Sequence, residues 1–466
     1  MTQSPLQKDV RLPWLEGIRI FAAVFLLLYH AQLLLTHYAY TPQPTGLLDN
    51  WQRMTTAVTP LGTGPWTALW SVTIWFGYQF VDVFVLISGF SLVLSLKGRP
   101  IEPGSFIRQR FLRILWPFWT VAWVGYPILW TIGTLTHSYI PDPWHMFAGL
   151  TFPLLFDYGG LLLLSTNGPW WFVPLILSFA LVFPFLWYLI HRWGAKNVLL
   201  ISIVMTCAYR FLASFILEGH PTYVMVSADS GWQPFLTFVA KLSTFVVGMI
   251  VAIHYQTGKG AIYWSNGKAL MLGIPIYILG FVGQFYRSGW ITNEFFIAIG
   301  LSLICMVIFR SLAQVFNCSV LLKQLGKHSY SYYLIHNFIV DRVMHLYVDD
   351  NVDRYYHALP GMMIGTLALA MVVDWITPKF QRGVTGLWKW LDASLQSSLA
   401  LSWTPQLGDR VIYQDQAGWL ITQVDPVRYA PRLYLCCIAW EGKSVWVNVQ
   451  DLRPMTETLN QPSIGS

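Results

Sequence analysis

The feature of this sequence that most constrains its fold is a series of ten long apolar runs. Each contains about 18 or more mainly apolar residues, which is the length that an α-helix needs to cross the hydrocarbon core of a bilayer. The runs lie near residues 15–38, 72–96, 114–134, 168–190, 197–217, 235–255, 269–286, 291–311, 325–347 and 358–377. Hydrophobic residues make up 55% of the chain and charged residues only 11%, which excludes an ordinary soluble globular protein. The sequence therefore predicts an all-α polytopic membrane protein with about ten transmembrane helices in contact with the lipid bilayer.

Lysine and arginine residues are distributed unevenly between the segments that connect these runs. If the N-terminus is cytoplasmic, the inner segments hold most of them, whereas the outer segments hold Arg53, Arg287, Arg354 and little else. Short cytoplasmic segments of membrane proteins are enriched in Lys and Arg, so this pattern predicts that both termini are cytoplasmic. The expected location is the inner (plasma) membrane. The same pattern accounts for the net charge of +7, and no nucleic-acid partner is predicted.

The composition changes after the last apolar run. We predict a membrane domain over residues 1–390, a linker over 391–405, a small cytoplasmic β domain over 406–455 and a disordered tail over 456–466. Residues 406–455 alternate between apolar and polar side chains with a period of two, and turn signals separate the alternating stretches. This pattern predicts four or five short strands in a small SH3-like β-barrel. The barrel either binds a protein partner or serves as a stabilising cap without a ligand.

The five cysteines show no paired spacing. They are Cys207, Cys305, Cys318, Cys436 and Cys437. Paired cysteines at fixed separations are the signature of disulfide frameworks and zinc sites. The sequence therefore predicts neither a disulfide framework nor a metal site.

The first apolar run, from Pro13 to Tyr38, carries an arginine at one end and a histidine in its middle. Arg19 and His30 are separated by three helical turns plus about 20°, so their side chains share a helix face, roughly 16 Å apart along the axis. An imidazole without a partner is costly in hydrocarbon, and ionisable groups inside membrane spans are usually functional. His30 is therefore a candidate functional residue at mid-depth, with Arg19 at the membrane edge.

Four blocks of sequence, in order along the predicted helices, resemble the acyltransferase-3 family of integral membrane acyltransferases. The first is Leu15-Glu16-Gly17-Ile18-Arg19 followed by ten residues and His30, with Glu16 where the family commonly has Asp. The other three are Phe80–Phe90, Phe106–Trp119 and Ser329–His336. The resemblance covers roughly residues 11–380. It implies that residues 1–390 form an acyltransferase-like domain, which moves an acyl group, most often acetyl, from a cytoplasmic donor to an acceptor handled at the membrane.

A fifth block departs from the family pattern. Asn167–Val173 resembles the start of the family's fourth-helix motif, and Pro184 resumes that motif. Between them, this chain has Ile176 and Ala180 where many members carry a glutamate and a tyrosine. A glutamate at membrane depth would be expected to orient an acceptor hydroxyl or a histidine.

The residue types within these blocks suit acyl transfer to a hydroxyl. The reaction needs a group that takes the hydroxyl proton, and the pKa of histidine suits that role near neutral pH. We therefore predict His30 as the general base. The thioester oxygen needs hydrogen-bond donors while it carries developing charge, and Ser88, Tyr330 or a backbone amide is the candidate. His336 and Tyr330 are predicted to line the substrate pocket.

The predicted donor is acetyl-CoA or another acyl-CoA, which is strongly anionic. The inner segment before the third apolar run contains Arg108, Arg110 and Arg113, and arginine is suited to bidentate contacts with phosphate. Arg19 is placed to guide the donor from this basic segment toward His30. Donor and acceptor are predicted to meet between the first three helices. The acceptor is a hydroxyl of a glycan, glycolipid or other envelope molecule, and no metal takes part.

Each of these residues also has a structural interpretation. His30 can be a packing histidine that is hydrogen-bonded to a neighbouring helix. Arg19 can be an interfacial residue whose charged end reaches water, and the basic segment can serve only to set the topology. For His336 and Tyr330 the alternative is a hydrogen-bonded position in the protein core.

Asp82 lies in an apolar run and must be either paired or protonated. Two roles are open: it orients His30 as part of the catalytic site, or it pairs with a structural partner such as Lys241 or Arg210. The rival function is transport, in which a multi-pass carrier of an acylated or anionic solute uses His30 and Asp82 as a proton relay. A third possibility is a scaffold whose C-terminal domain recruits a partner.

Overall fold

The structure, a computed structural model, separates the chain into two compact units, Met1–Pro378 and Lys379–Ser466. It describes residues 12–62, 64–137, 140, 168–222, 234–398, 405–426 and 434–455. The predicted tail, residues 456–466, and residues 399–404 of the predicted linker lie outside the described residues.

Thirteen α-helices occur in the described part of the chain. They are α1 (Pro13–Leu35), α2 (Leu47–Val58), α3 (Pro65–Trp75), α4 (Phe80–Leu96), α5 (Pro103–Thr136), α6 (Phe172–Trp193), α7 (Ala195–Phe211), α8 (Leu242–Gln256), α9 (Asn266–Gly283), α10 (Asn293–Val315), α11 (Ser319–Gly326), α12 (Ser329–Val343) and α13 (Val352–Ser398). The last of these continues into the segment that was predicted to be a linker from residue 391.

Eight helical segments of the described chain are long and apolar enough to cross a membrane. They are Pro13–Leu35, Pro65–Leu96, Pro169–Trp193, Ala195–Ile216, Phe238–Gln256, Asn266–Gly283, Asn293–Val315 and Val352–Leu391. The predicted spans near 114–134 and 325–347 fall in α5 and α12, which are helical but not among the eight. α12 has only 15 residues, and α5 is rich in Trp and Pro, which lower its apolar character. The protein is thus a mostly helical membrane protein, but the number of ten spans is not confirmed.

α1 begins at a proline and packs inside the helix bundle. Pro13 occupies the first turn, where its missing N–H is not needed, and Glu16 lies in the same turn, where the helix dipole favours negative charge. The helix ends at Leu35 because His37 and Tyr38 adopt left-handed backbone angles, with φ of 49° and 60°. α1 contacts α4, α10, α11 and α12, so it can present side chains to several neighbours.

α4 and α8 approach each other closely through two glycines. A Cβ atom on Gly89 would overlap the carbonyl of Phe245, and one on Gly248 would overlap the carbonyl of Leu86. Only glycine permits this separation, which brings the two backbones into direct contact. α4 and α8 therefore form one tightly packed pair beside α1.

The C-terminal unit contains a five-stranded antiparallel sheet. Its strands are β1 (Arg410–Tyr413), β2 (Gln416–Pro426), β3 (Tyr434–Trp440), β4 (Lys443–Asn448) and β5 (Leu452–Pro454), in the order β4-β3-β2-β1-β5. Two-residue turns at 414–415 and 441–442 have positive φ at both positions, as tight hairpins require. One face buries a small core that includes Ile421, Cys436 and Ile438.

The prediction of an SH3-like barrel is wrong in one respect. β4 and β5 are the two edges of the sheet, and no pairing joins them in the described strands. A barrel needs its first and last strands to pair, and here each edge strand has a single neighbour. The C-terminal unit is therefore an open antiparallel sheet.

Candidate active site

A cavity of about 360 Å³ lies between α1, α4, α5, α6, α8 and the start of α12. We call it the basic cavity. Its polar lining residues are Glu16, Arg19, Ser88, Ser91, Ser95, Arg110, Arg113, Lys327, Ser329, Tyr330 and Tyr333. Five of the predicted site residues are thus brought together here, namely Arg19, Ser88, Arg110, Arg113 and Tyr330. Four others, His30, Asp82, Arg108 and His336, do not line this cavity.

Positive charge dominates the part of the basic cavity near the start of α1. Arg110 and Arg113 lie one turn apart on α5, and Lys327, just before α12, lines the same cavity. Burial, together with the nearby charges of Arg113 and Arg19, lowers the pKa of Arg110 to about 10. Like charges held this close repel one another, so an anionic ligand between them would be stabilised.

Arg19 is held in place by two hydrogen bonds. Its guanidinium donates to the Glu16 carboxylate at 3.0 Å and to the Ser91 hydroxyl at 2.6 Å. Glu16 contributes the only carboxylate among the described residues that line the basic cavity, and Arg19 already neutralises it. The cationic side chains of α5 therefore face no other acidic residue within the described lining.

Serine side chains form a polar track along one face of α4. Ser88, Ser91 and Ser95 are spaced by three and four residues, so they lie on the same side of the helix, and all three line the basic cavity. Tyr330 faces the cavity from α12 and donates its hydroxyl to the carbonyl of Ile114 at 3.1 Å. This track offers hydrogen-bonding groups between the cationic end and the apolar end of the cavity.

The opposite end of the basic cavity is apolar. Its walls there include Phe84, Phe172, Ile176 and Phe179. Ile176 is the residue that stands where many members of the resembling family carry a glutamate. The position at which this sequence differs from the family pattern therefore lies on the cavity wall. It carries the aliphatic side chain of Ile176 and no carboxylate.

His30 and His336 lie next to each other just beyond Tyr333. His336 Nε2 is 3.4 Å from His30 Nδ1, and the two rings are 5.2 Å apart between centroids. The ring of Tyr333, which lines the basic cavity, is 5.5 Å from that of His336. The predicted base and a predicted pocket residue, 306 positions apart in sequence, are therefore neighbours.

The carbonyl contacts of this pair favour one tautomer of each neutral ring. His30 Nδ1 lies 2.7 Å from the carbonyl of Leu26, and His336 Nδ1 contacts the carbonyl of Tyr333. Carbonyl oxygens only accept, so both Nδ1 atoms carry hydrogen in the neutral rings. The single hydrogen on His30 Nδ1 is directed to Leu26, so the 3.4 Å approach to His336 Nε2 is the weaker branch of a shared hydrogen bond. In this tautomer the lone pair of the His30 ring is on Nε2.

Asp82 is engaged with a lysine and not with His30. Its carboxylate accepts a hydrogen bond from Lys241, which also donates to Glu294 at 2.6 Å. Glu294 in turn accepts from Arg210 at 2.7 Å and from Thr222 at 2.6 Å. Of the two roles considered for Asp82, the structure shows the pairing with Lys241.

This buried network is separate from the histidine pair. It joins α4, α7, α10 and the 3-10 turn Pro234–Lys241 that precedes α8, with two basic and two acidic side chains that balance in charge. Among the described residues, the hydrogen-bond partners of His30 and those of Asp82 have no residue in common, so the structure gives no direct link for the predicted proton relay. In the part of the chain that the structure describes, no group of three or more His, Cys, Asp or Glu side chains could hold a metal ion.

Several residues at the site were missed by the sequence reasoning. Ser91 could have been found, because it lies one turn from Ser88 on the same helix face. Lys327 and Tyr333 carried no separate signal. Beside Lys327, the Asp374 carboxylate contacts both His328 Nδ1 and the Ser331 hydroxyl, and it thereby ties the start of α12 to α13. Nothing in the local sequence pairs residues from such distant segments.

Comparison with known proteins supports one assignment. The acyltransferase-3 family model, described as an acyltransferase domain, matches residues 12–375, which is most of the chain and includes every helix that lines the basic cavity. No curated protein and no solved structure matches the chain. The matched range begins just before α1 and ends within α13, so the open sheet of the C-terminal unit lies outside it. The chain therefore belongs to the acyltransferase-3 family of membrane acyltransferases.

Proposed function

We propose that this membrane acyltransferase moves an acyl group, most simply acetyl, from acyl-CoA to a hydroxyl of a glycan, glycolipid or other envelope molecule. The observation that carries this proposal is the basic cavity, whose cationic end suits a CoA phosphate group and whose other end lies beside the His30–His336 pair. The protein acts in the inner membrane with both termini cytoplasmic. This orientation puts the cationic end on the side where acyl-CoA is made.

In this proposal the donor lies along the cavity. Its phosphates bind Arg110 and Arg113, since arginine pairs with phosphate through two parallel hydrogen bonds. Arg108, which is exposed on the same helix, contacts the part of the nucleotide that stays outside. The pantetheine amides follow the serine track of α4, and the thioester reaches the end near Tyr333. Arg19 keeps its bond to Ser91 and contributes positive charge midway.

The chemistry follows from the tautomer of His30. Nε2 takes the proton of the acceptor hydroxyl as its oxygen attacks the thioester carbonyl, and a tetrahedral oxyanion forms. Ser88 or Tyr330 donates a hydrogen bond to that oxyanion. The intermediate then collapses, the carbon–sulfur bond breaks, and the CoA thiolate takes the proton from His30. His336 is a positioning residue in this proposal, because its ring lies against that of His30 and its Nε2 is 3.4 Å from His30 Nδ1.

The direct test uses purified protein in lipid nanodiscs, radiolabelled acetyl-CoA and a total envelope extract. We expect the label to move into a hydroxyl-containing envelope molecule, with one equivalent of free CoA released per acetyl transferred. The matched control is the same nanodisc preparation without the extract, in which CoA release should fall to the background rate. If the wild-type protein neither binds acetyl-CoA nor transfers label, the proposal is wrong.

Loss of the α5 arginines is expected to weaken donor binding. The variant Arg110→Gln/Arg113→Gln removes two charge-assisted contacts, and each is worth about 1.5–3 kcal/mol, so the Kd for acetyl-CoA should rise roughly 100-fold or more. Isothermal titration calorimetry measures this directly. The control is Arg192→Gln, since Arg192 is an exposed arginine that does not line the basic cavity. Equal affinity in the variant and the wild type would contradict the donor site.

We place the acceptor in a second cavity, of about 570 Å³, at the other end of α1. Its lining includes Thr36, Asp49, Gln52, Arg53 and Asp350. Hydroxyl, amide and carboxylate groups such as these hydrogen-bond the hydroxyls of a sugar. His30 lies only five residues before Leu35, which lines this cavity, or about 7.5 Å along the helix axis. His30, with His336 of α12 beside it, therefore lies on the stretch of α1 between the two cavities.

Substitution in the second cavity is expected to affect the acceptor and not the donor. In Gln52→Ala/Arg53→Ala, the KM for the acceptor should rise about tenfold or more, since two hydrogen-bonding groups are lost, while the Kd for acetyl-CoA stays unchanged. Thr55→Ala on the same helix is the control, because Thr55 does not line the cavity. A change in donor affinity with an unchanged acceptor KM would refute this placement.

A further inference from the structure

A third cavity, mainly apolar, lies between α1, α4, α8, α9 and α10. We call it the apolar pocket. It has a volume of about 160 Å³, and its walls include Leu272 and Ile276 of α9 and Ile299 and Met306 of α10. Its described lining contains the hydroxyl of Ser302 and no charged side chain. A buried water needs several polar partners, so this space suits a hydrocarbon group better than water.

The apolar pocket lies where a lipid chain can reach it. α9 is at the edge of the bundle, since Met271, Ile278 and Leu279 are 68%, 53% and 57% exposed. α9 is also long and apolar enough to cross a membrane, so these exposed apolar side chains face lipid. On α10, the pocket residue Ile299 precedes Arg310 by eleven residues, or roughly 16 Å of helix. That is about half of the hydrocarbon thickness of a bilayer, which is the depth of one leaflet.

Two cations border one end of the apolar pocket, where they lie over tryptophans that line it. Lys268 Nζ is 4.9 Å from the ring centre of Trp264, and Arg310 Cζ is 5.5 Å from that of Trp14. Arg310 also donates to the carbonyls of Ile262 and Trp264, which uses two of its five N–H groups. The charged end of the pocket is thus built from α1, α9, α10 and the segment before α9.

The positive charge at this end is not balanced within the described part of the chain. None of the ion pairs found there includes Lys268 or Arg310. Aromatic rings and carbonyl groups stabilise a cation but carry no net negative charge. An anionic group beside Trp14 and Trp264 would therefore be stabilised.

The physical chemistry of the bilayer selects the occupant. Lipid tails are as apolar as leucine, so the walls of the pocket give a hydrocarbon chain little preference over the bilayer itself. The choice between lipids then depends on the headgroup, and basic pockets between membrane-spanning helices bind anionic headgroups. Tryptophan favours the depth at which headgroups lie, which agrees with the position of Trp14 and Trp264 beside the two cations.

We propose that the apolar pocket holds one acyl chain of an anionic phospholipid, whose phosphate is bound by Lys268 and Arg310. The chain runs from Trp14 and Trp264 toward Ile299. This site is independent of the proposed acyl transfer. Ile87 lines both the apolar pocket and the basic cavity, so the bound chain packs against a wall that the two spaces share.

Photo-crosslinking on the full chain tests the proposal. The protein is placed in phosphatidylcholine nanodiscs with a trace of phosphatidylglycerol or phosphatidylcholine that carries a diazirine in one acyl chain, and mass spectrometry identifies the labelled peptides. Two cations at the headgroup should favour phosphatidylglycerol roughly 30-fold, so that probe should label peptides containing Leu272, Ile276 or Met306 more strongly. Equal labelling of these peptides by the two probes would overturn the proposal.

A soluble headgroup distinguishes a lipid from a free phosphate. Glycerol 3-phosphate in excess should leave the labelling unchanged, because it has no acyl chain to occupy the pocket. If it removes the labelling by phosphatidylglycerol, the two cations bind a free anion and the proposal is wrong.

Charge variants test the role of the cations. Lys268 is exposed, and Lys268→Gln should lower the preference for phosphatidylglycerol about fivefold, whereas Lys268→Gln/Arg310→Gln should be labelled equally by both probes. The matched control is Arg192→Gln/Lys196→Gln, which removes the same two residue types away from the pocket lining. Arg192 likewise lies over an aromatic ring, that of Tyr188, at 5.9 Å. An undiminished preference in Lys268→Gln/Arg310→Gln would exclude these cations from the site.

A filled pocket tests the role of the acyl chain. Ile276→Trp keeps every charge and occupies the space, so labelling of the Met306 peptide should fall with both probes. Ile278→Trp is the control, because Ile278 is exposed on the same helix and does not line the pocket. If Ile276→Trp is labelled like the wild type, the acyl chain does not enter the apolar pocket.

Discussion

Replacing His30 by alanine is expected to lower kcat for acyl transfer by about 10²–10⁴-fold, the usual contribution of a general base. The affinity for acetyl-CoA should stay close to that of the wild type, because His30 does not line the basic cavity. The physical reason is the lone pair on Nε2, which the bonds of Nδ1 to Leu26 and His336 leave free. Initial rates of CoA release, measured at saturating donor, give kcat, and calorimetry gives the donor Kd.

A control histidine with the same local geometry is available on α6. His191 Nδ1 lies 2.8 Å from the carbonyl of Trp187, four residues earlier, just as His30 Nδ1 faces Leu26. His191 is exposed and lines neither cavity, so His191→Ala should leave kcat unchanged. Equal rates for His30→Ala and the wild type would remove His30 from the mechanism.

His336 gives a graded version of the same test. In His336→Ala, the His30 ring loses its neighbouring imidazole but keeps its hydrogen bond to the carbonyl of Leu26. A positioning role predicts a fall in kcat that is smaller than in His30→Ala, with no further loss in the double variant, because residues that act as one unit are not additive. A double variant slower than both single variants by the product of their effects would show that the histidines act independently.

Replacing Lys241 by methionine is expected to destabilise the fold by about 3–5 kcal/mol. Lys241 is 3% exposed and bridges the carboxylates of Asp82 and Glu294. Its removal leaves two buried acidic groups to share the single charge of Arg210, in a region where an uncompensated charge is costly. The change in stability is measured by heating the protein in detergent and monitoring how much monodisperse protein remains at each temperature.

The double variant Asp82→Asn/Lys241→Met isolates the charge effect. It restores neutrality, because Glu294 keeps its pair with Arg210 at 2.7 Å, so most of the lost stability should return. An exposed pair provides the control: Glu218 and Arg287 are 3.7 Å apart at the surface, and Glu218→Gln should cost less than about 1 kcal/mol. If Lys241→Met unfolds at the wild-type temperature, the network does not stabilise the protein.

The double variant also bears on function. If Asp82 serves only this network, the folded Asp82→Asn/Lys241→Met protein should keep its acyl-transfer activity. A folded but inactive double variant would return Asp82 to the catalytic site, where sequence alone had left it as one of two possibilities.

Part of this architecture can be predicted from local sequence patterns, namely the length of apolar runs and the helical period. Apolar runs of membrane length predicted the helices, and the 3.6-residue period places Ser88 and Ser91 on one face of α4. The basic segment before residue 114 predicted Arg110 and Arg113 near Arg19, since helices adjacent in sequence tend to pack together. These residues lie together because short-range periodicity and helix order suffice to bring them there.

Other features depend on packing between distant segments, which no local pattern encodes. The contact of His30 with His336 and the contact of Asp374 with His328 each join segments of the chain that are far apart. The pairing of Asp82 with Lys241 was one of two possibilities because an aspartate in an apolar run needs some partner without specifying which. Whether the sheet closes depends on how its edge strands approach, and alternating residues in β4 and β5 are compatible with either outcome.

The glycine contact between α4 and α8 has a consequence for how the donor enters. Two backbones in direct contact leave no free volume between them, so neither helix can shift without breaking the packing of the other. Ser88 and Phe245, one from each helix, therefore belong to a fixed wall of the basic cavity. If the proposed acyl-CoA donor needs the cavity to widen, we expect the movement on the facing side, because α5 contains Pro117 and Pro127, residues at which helices bend. If the donor binds as proposed, we expect α4 and α8 to form the stationary side of the cavity and α5, which carries Arg110 and Arg113, to form the side that moves.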